Sequence, residues 1–111
     1  MKIVVCVKRV PDTEAPIRVA GDGRTADPAG VKFIANPYDE FAVEAALRFR
    51  EAAGEGEVVA LSVGGAESAE TLRTILAMGG DSAVLLKTDA APRGLGVGLG
   101  IAALMEERQF D

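Results

Sequence analysis

The chain has 111 residues, which suits one small domain, and 49% of them are apolar, enough for a folded core. A net charge of −5 without a long basic run argues against binding to a nucleic-acid backbone, because that affinity comes from Lys and Arg. One Cys and no His exclude an intrachain disulfide framework and triad-type catalysis, and they argue against a His- or Cys-based metal site.

Three apolar runs predict the strands of a parallel sheet. Residues 3–7 (IVVCV), 57–63 (EVVALSV) and 82–87 (SAVLLK) are typical of strands that are covered on both faces. Helical periodicity lies between them over residues 40–51 and 67–76, and a third helix is predicted over residues 95–108. The alternation predicts an α/β fold with right-handed crossovers, a three-layer arrangement and about three strands.

A long excursion, residues 11–35, separates the first strand from the first helix. Its segments Ile17–Val19 and Gly21–Gly23, followed by Thr25, predict a small hairpin with a glycine turn. The chain returns through residues 31–34. An insertion after the first strand lies at the carboxyl edge of the sheet, where open α/β sheets bind their ligands.

Two stretches at that edge are candidate ligand contacts. Asn36-Pro37 is explained as a helix start, with Asn36 as the N-cap and Asp39 near the positive end of the dipole; the same groups can also face a nucleotide. The turn Val63–Ala66 is either an ordinary strand-to-helix connection or a place where an anion meets free N–H groups.

Other suggestive features are assigned structural roles. The alternating glycines at positions 94, 96, 98 and 100 are separated from the preceding strand, so we reject a dinucleotide fingerprint and predict close packing of the third helix on the sheet.

Cys6 is predicted to be a small buried hydrophobe rather than a reactive thiol. The Lys8-Arg9 pair is either solvated or placed to meet a phosphate or the acidic surface of a partner. The N-terminal apolar run is too short for a signal sequence or a membrane span, so we expect a bacterial cytoplasmic protein; a mature form that has lost a presequence stays possible.

Four segments together resemble the N-terminal part of the beta subunit of electron transfer flavoprotein. They read KIVVCVKRVPDTEAPIRV, GVKFIANPYDEFAVEAALRFRE, VVALSVGGAESAETLRTILAMGGDSAVLLKTD and EERQFD, in order along almost the whole chain. The resemblance implies that residues 1–111 are the N-terminal portion of a nucleotide-binding domain of the adenine-nucleotide α-hydrolase type. The family's parallel sheet has the strand order 3-2-1-4-5. Residues 109–111 then read as the approach to a further strand.

The resemblance also implies a function that composition alone does not indicate. Family members are heterodimers of alpha and beta subunits that carry electrons from flavin dehydrogenases to a quinone-reducing enzyme or another acceptor. The beta subunit has no catalysis of its own and holds AMP, while FAD is held mainly by the alpha subunit; in bifurcating members a second FAD replaces AMP. Carried over by position, the nucleotide contacts are Cys6, Asn36, Pro37, Tyr38, Asp39, Val63 and Gly64.

Two alternatives remain at this point. The first is a stand-alone ATP-binding module of the universal stress protein type, which needs a glycine-rich triphosphate loop; residues 7–11 contain no such loop. The second is a structural fragment without a ligand. Neither reading includes a metal, nucleic acid or membrane insertion.

Overall fold

The computed structural model describes residues 1–89 and 93–111. It confirms the predicted α/β class, with all three predicted strands and all three predicted helices present. The elements in chain order are β1 (Lys2–Cys6), β2 (Arg9–Pro11), β3 (Phe33–Ala35), α1 (Pro37–Ala53), β4 (Glu57–Gly64), α2 (Ser68–Met78), β5 (Ser82–Lys87) and α3 (Gly94–Glu107).

The main sheet is parallel and has the order β1-β4-β5. β1 pairs with β4 from Lys2–Glu57 to Cys6–Leu61, and β4 pairs with β5 from Val59–Ser82 to Gly64–Lys87. This order matches the first three strands of the topology that the resemblance implies. On the side of β1 opposite β4, the backbone N–H of Asp111 donates to the carbonyl of Lys2 at 2.8 Å, so the end of the chain lies along the first strand.

The core lies mainly between the sheet and the helices α1 and α2. Val58 and Ala60 of β4 are fully buried in one apolar cluster with Val43 of α1 and Ile75 of α2. The intervening residues of β4, among them Leu61, are buried on the opposite face, where α3 lies. Both faces of the central strand are therefore covered, as its continuous apolar run predicts.

The two ends of the excursion are joined by a short antiparallel pair of strands that the sequence analysis did not predict. β2 and β3 pair from Arg9–Ala35 to Pro11–Phe33. The predicted hairpin is present in reduced form, as a single antiparallel bridge between Val19 and Ala26. Its turn contains Asp22, whose carboxylate accepts hydrogen bonds from the backbone N–H groups of Arg24 and Thr25.

The glycines of α3 correct one prediction. A Cβ built on Gly94, Gly96 or Gly98 would meet no described atom within 4 Å, whereas at Gly100 it would lie 3.6 Å from the side chain of Leu86. Close packing on the sheet is therefore wrong for three of the four glycines. Gly96 and Gly100 share one side of α3, but only Gly100 lies beside β5, because the first turns of the helix border the open carboxyl edge of the sheet. Within the described part of the chain, none of the helices combines the length and apolar character needed to cross a bilayer.

Candidate functional site

A cavity of about 990 Å³ opens at the carboxyl edge of the main sheet. Its wall is formed by the ends of β1, β4 and β5, the start of α1, the turn before α2 and the first turns of α3. Parallel strands all end at this edge, and the helices that follow them begin there, so backbone N–H groups and polar side chains converge. The volume is at the upper end of the usual range for small-molecule sites.

Reciprocal hydrogen bonds join the end of β1 to the start of α1. The backbone N–H of Asn36 donates to the carbonyl of Lys8 at 2.8 Å. The backbone N–H of Lys8 donates to the carboxylate of Asp39 at 2.7 Å. Asp39 stands in the first turn of a helix that has Pro37 at its first position, so the helix dipole also favours the carboxylate there. This junction fixes one rim of the cavity.

Asn36 occupies the N-cap position, as predicted, but its side chain does not act as a cap. Its backbone carbonyl accepts hydrogen bonds from the N–H groups of Asp39 and Glu40, whereas its carboxamide makes no capping bond among the described residues. Asn36 lines the cavity. The prediction that its side chain caps the helix is therefore wrong, and the carboxamide is available to a ligand.

The turn after β4 forms the opposite rim. The carbonyl of Gly64 accepts a hydrogen bond from the backbone N–H of Thr88 at 2.9 Å, which ties the end of β5 to this turn. Among the hydrogen bonds of the described residues, none uses the backbone N–H of Gly65, Ala66 or Glu67. Successive unused N–H groups before a helix are a common anion-binding arrangement.

The two glycines of that turn leave room for the polar side chains that follow them. A Cβ on Gly64 would come within 2.6 Å of the hydroxyl oxygen of Ser68. A Cβ on Gly65 would collide with the carboxylate of Glu67. The glycines therefore let the polar side chains of the first α2 turn fold back over the backbone at the cavity wall.

The cavity wall carries both signs of charge. Arg9, one of its cations, lies with its guanidinium 3.8 Å from the centre of the Phe33 ring, so the cation is held over an aromatic face. Such a wall suits a ligand with an anionic end and neutral hydroxyl or amine groups. Among the described residues, no group of three acidic or Cys side chains is placed to hold a metal ion. The charged residues of the wall are Lys8, Arg9, Lys87, Asp39, Glu67 and Asp89.

Cys6 lies on the cavity wall and is exposed, which corrects the prediction that it is buried. It is the last residue of β1, and its side of the strand faces the cavity rather than a helix. Partial burial raises the pKa of the thiol, and the nearby negative charge of Asp39 raises it further. The thiol is therefore protonated at neutral pH and is not activated as a nucleophile.

Five of the seven residues assigned by resemblance lie on the cavity wall: Cys6, Asn36, Asp39, Val63 and Gly64. Pro37 and Tyr38 are not among the residues that line it, and the side chain of Tyr38 is 80% exposed. Sequence reasoning missed Lys87 and Asp89 as wall residues. The available signal was their place directly after an apolar parallel strand, at the same edge as the other candidates.

Comparison with known proteins identifies related sequences along almost the whole chain. The family described as "Electron transfer flavoprotein domain" matches residues 25–111. The electron transfer flavoprotein subunit beta of Bradyrhizobium diazoefficiens is 45% identical over 109 residues, which is 98% of this chain and 44% of that protein. The mitochondrial subunit beta of Oryza sativa subsp. indica is 52% identical over 92 residues, 83% of this chain and 36% of its own length.

The subunit beta of Bacillus subtilis is 45% identical over 89 residues, 80% of this chain and 34% of that protein. The chain thus spans less than half the length of each of these three relatives.

Proposed function

The chain belongs to the family of electron transfer flavoprotein domains, and from this premise we propose that it is the N-terminal part of the nucleotide-binding domain of a beta subunit. The subunit serves electron transfer and does not catalyse a reaction of its own. The observation that carries the proposal is the cavity at the carboxyl edge, which gathers residues from three strand ends in a chain 45% identical to a named beta subunit over 109 residues.

The ligand proposed for this cavity is an adenine nucleotide, AMP in the ordinary carrier. The unused N–H groups of Gly65, Ala66 and Glu67, together with Lys87 on the neighbouring strand, suit the phosphate. The uncommitted carboxamide of Asn36 suits the polar edge of a base or sugar. Asp39 can accept hydrogen bonds from ribose hydroxyls. In this assignment Cys6, Val63 and Gly64 contribute contact surface.

The partner proposed for this subunit is the alpha subunit of electron transfer flavoprotein, which holds or shares the FAD. Electrons then come from flavin dehydrogenases and pass to a quinone-reducing or other acceptor. FAD supplies the redox chemistry when it is bound, whereas the residues of this chain bind and orient the adenine nucleotide. If the complex bifurcates electrons, a second FAD takes the place of AMP. A bacterial cytoplasmic location stays a prediction from the sequence.

The test is to identify the nucleotides that the natural protein carries. The full-length protein is purified with its alpha subunit and denatured, and the released nucleotides are separated by chromatography and identified by mass. The expected result is one AMP and one FAD per heterodimer. Two FAD and no AMP would support the bifurcating form of the same function.

Two other results would contradict the proposal. Release of ATP would favour a stand-alone ATP-binding module of the universal stress protein type. A complex without any nucleotide would leave the cavity without the proposed ligand. A matched variant localises the binding: Lys87→Ala should reduce the AMP content, whereas Lys32→Ala, a change at an exposed lysine of the excursion, should leave it unchanged.

A further inference from the structure

The outer face of α1 carries three of the five aromatic side chains of the chain. Tyr38, Phe41, Ala45 and Phe49 follow one another at spacings of three and four residues, which places them on one side of the helix. We call these four residues the α1 stripe. The side chains of Tyr38, Phe41 and Phe49 are 80%, 73% and 65% exposed.

The area of the α1 stripe is large for a surface that stays in water. A buried aromatic side chain removes about 150–250 Å² from solvent, so three side chains exposed to this extent present roughly 400 Å². Contiguous apolar patches of a few hundred Å² on proteins commonly mark interaction sites. A standard protein interface buries about 800 Å² on each side, and the α1 stripe supplies about half of that.

Charge beside the α1 stripe decides between two kinds of occupant. The neighbouring face of α1 carries Glu40, Glu44 and Glu51 with a single cation, Arg48, whose guanidinium already donates to Glu44 at 2.8 Å. In an antiparallel pairing of two copies, these acidic faces would meet each other. The whole chain also has a net charge of −5. Repulsion therefore disfavours a second copy and favours a partner with Lys or Arg beside an apolar face.

We propose that the α1 stripe is a docking surface for a protein subunit of different sequence, one whose apolar contact face is bordered by basic side chains. The proposal rests on the proposed function for the choice of the probe, which is the alpha subunit. The α1 stripe also adjoins the cavity, because Tyr38 lies between two wall residues in the sequence, Asn36 and Asp39. A partner on the α1 stripe would hold the same helix end that forms the rim.

The experiment measures binding of the full-length natural protein to the purified alpha subunit from the same organism. The test variant is Phe41→Gln/Phe49→Gln. The matched control is Leu95→Gln/Leu99→Gln, because these α3 side chains are 79% and 63% exposed and are also apolar. We expect at least a tenfold loss of affinity for the test variant and less than a twofold change for the control. Glu40→Lys should also weaken binding, and more at low salt than at high salt.

Hydroxyl-radical footprinting gives an independent readout on the wild-type protein. Phe41 and Phe49 should be modified in the free protein and protected in the complex, whereas Val19, 72% exposed in the excursion, should be modified equally in both. Protection of the two Phe residues in the free protein would mean that another part of the same chain covers the α1 stripe, and it would overturn the proposal.

The remaining outcomes separate this inference from the proposed function. If the alpha subunit binds the test variant as tightly as wild type, the docking surface is wrong and the proposed function stands. If the alpha subunit does not bind the wild-type protein at all, the heterodimer itself is wrong and the docking proposal fails with it. Self-association of the wild type that Phe41→Gln/Phe49→Gln abolishes would identify a second copy as the occupant, against the proposal.

Discussion

The carboxylate of Asp39 accepts a hydrogen bond at 2.7 Å from the backbone N–H of Lys8, which lies 31 positions earlier in the sequence. The bond joins the segment that leaves β1 to the first turn of α1, across the whole excursion. The second link of the pair, from Asn36 N–H to the carbonyl of Lys8, makes the junction reciprocal. The cavity rim therefore depends on a contact between segments that are distant in sequence.

Removal of the Asp39 carboxylate is expected to destabilise the fold. Asp39→Ala leaves the N–H of Lys8 without its charged acceptor and should lower the free energy of unfolding by about 1–2 kcal/mol. Glu40→Ala is the control, because Glu40 is in the same helical turn and its side chain accepts no hydrogen bond among the described residues. Urea unfolding monitored by circular dichroism measures both changes. An equal effect of the two variants would mean that the helix dipole, rather than the link to Lys8, is responsible.

The same carboxylate affects the thiol of Cys6. Partial desolvation at the cavity wall is the larger cause of the raised pKa of Cys6, and the negative charge of Asp39 is the second. Asp39→Asn removes that charge and keeps an acceptor, so the pKa of Cys6 should fall towards its ordinary value. The thiolate fraction at mildly alkaline pH should then rise. The pH profile of the iodoacetamide alkylation rate should shift to lower pH, and an unchanged profile would contradict the assigned electrostatic coupling.

The two accounts of Asn36 make different predictions. If its side chain capped α1, Asn36→Ala would cost about 0.5–2 kcal/mol of stability. Since the carboxamide makes no capping bond in the structure, we expect the free energy of unfolding to change by less than about 0.5 kcal/mol. We expect the AMP content of the purified heterodimer to fall instead. A large stability loss with unchanged AMP content would restore the capping account.

Asp81 connects three elements at the amino edge of the sheet. Its carboxylate accepts hydrogen bonds from the backbone N–H of Val58 at 2.7 Å and from the guanidinium of Arg50 at 2.5 Å. These contacts, the backbone bond first, lower the pKa of Asp81. A lowered pKa in the folded state stabilises the protein above the unfolded pKa, and this contribution is lost as the pH falls through the folded value.

Asp81→Asn should therefore be less stable than wild type at pH 7, by about 1 kcal/mol given the solvent exposure of the ion pair. The difference should shrink as the pH falls below about 4, the ordinary pKa of Asp in the unfolded chain, and on through the lowered pKa of the folded protein. Asp22→Asn is a second test of the same linkage, because hydrogen bonds within its own turn also lower the pKa of Asp22, so its effect should have the same sign at pH 7. Urea unfolding at pH 7 and pH 3 measures the differences. A constant difference between the two pH values would contradict the linkage.

Substitution of glycine by alanine should stabilise the protein where a Cβ has space and destabilise it where a Cβ would clash. Gly98→Ala in α3 should raise the free energy of unfolding by about 0.5–1 kcal/mol, because Ala favours the helix and a Cβ there meets no described atom within 4 Å. Gly56→Ala should have the opposite sign, because Gly56 has φ +134° and its Cβ would lie 2.6 Å from the carbonyl oxygen of Met1. Thermal unfolding measures both. Destabilisation by Gly98→Ala would mean that another surface packs closely on α3.

Much of the fold followed from local patterns. The run at residues 82–87 coincides with β5, and the third predicted helix differs from α3 by one residue at each end. Apolar periodicity is a local property, so a single sequence carries it. The β2–β3 pair was missed because each strand has only three residues and one of them contains Pro11, so neither segment shows a strand pattern.

The sequence by itself determined the parallel α/β architecture, the edge of the sheet at which the cavity opens and the positions of Asn36 and Gly64 at that edge. These features depend on the order of the helices and strands and on the turn residues, which are local properties of the sequence. Only the tertiary structure decided that the carboxamide of Asn36 does not cap α1, that Cys6 faces a cavity and that three glycines of α3 have no close neighbour among the described residues. Each of these depends on which side of an element meets a neighbour, and that is set by packing between segments distant in sequence.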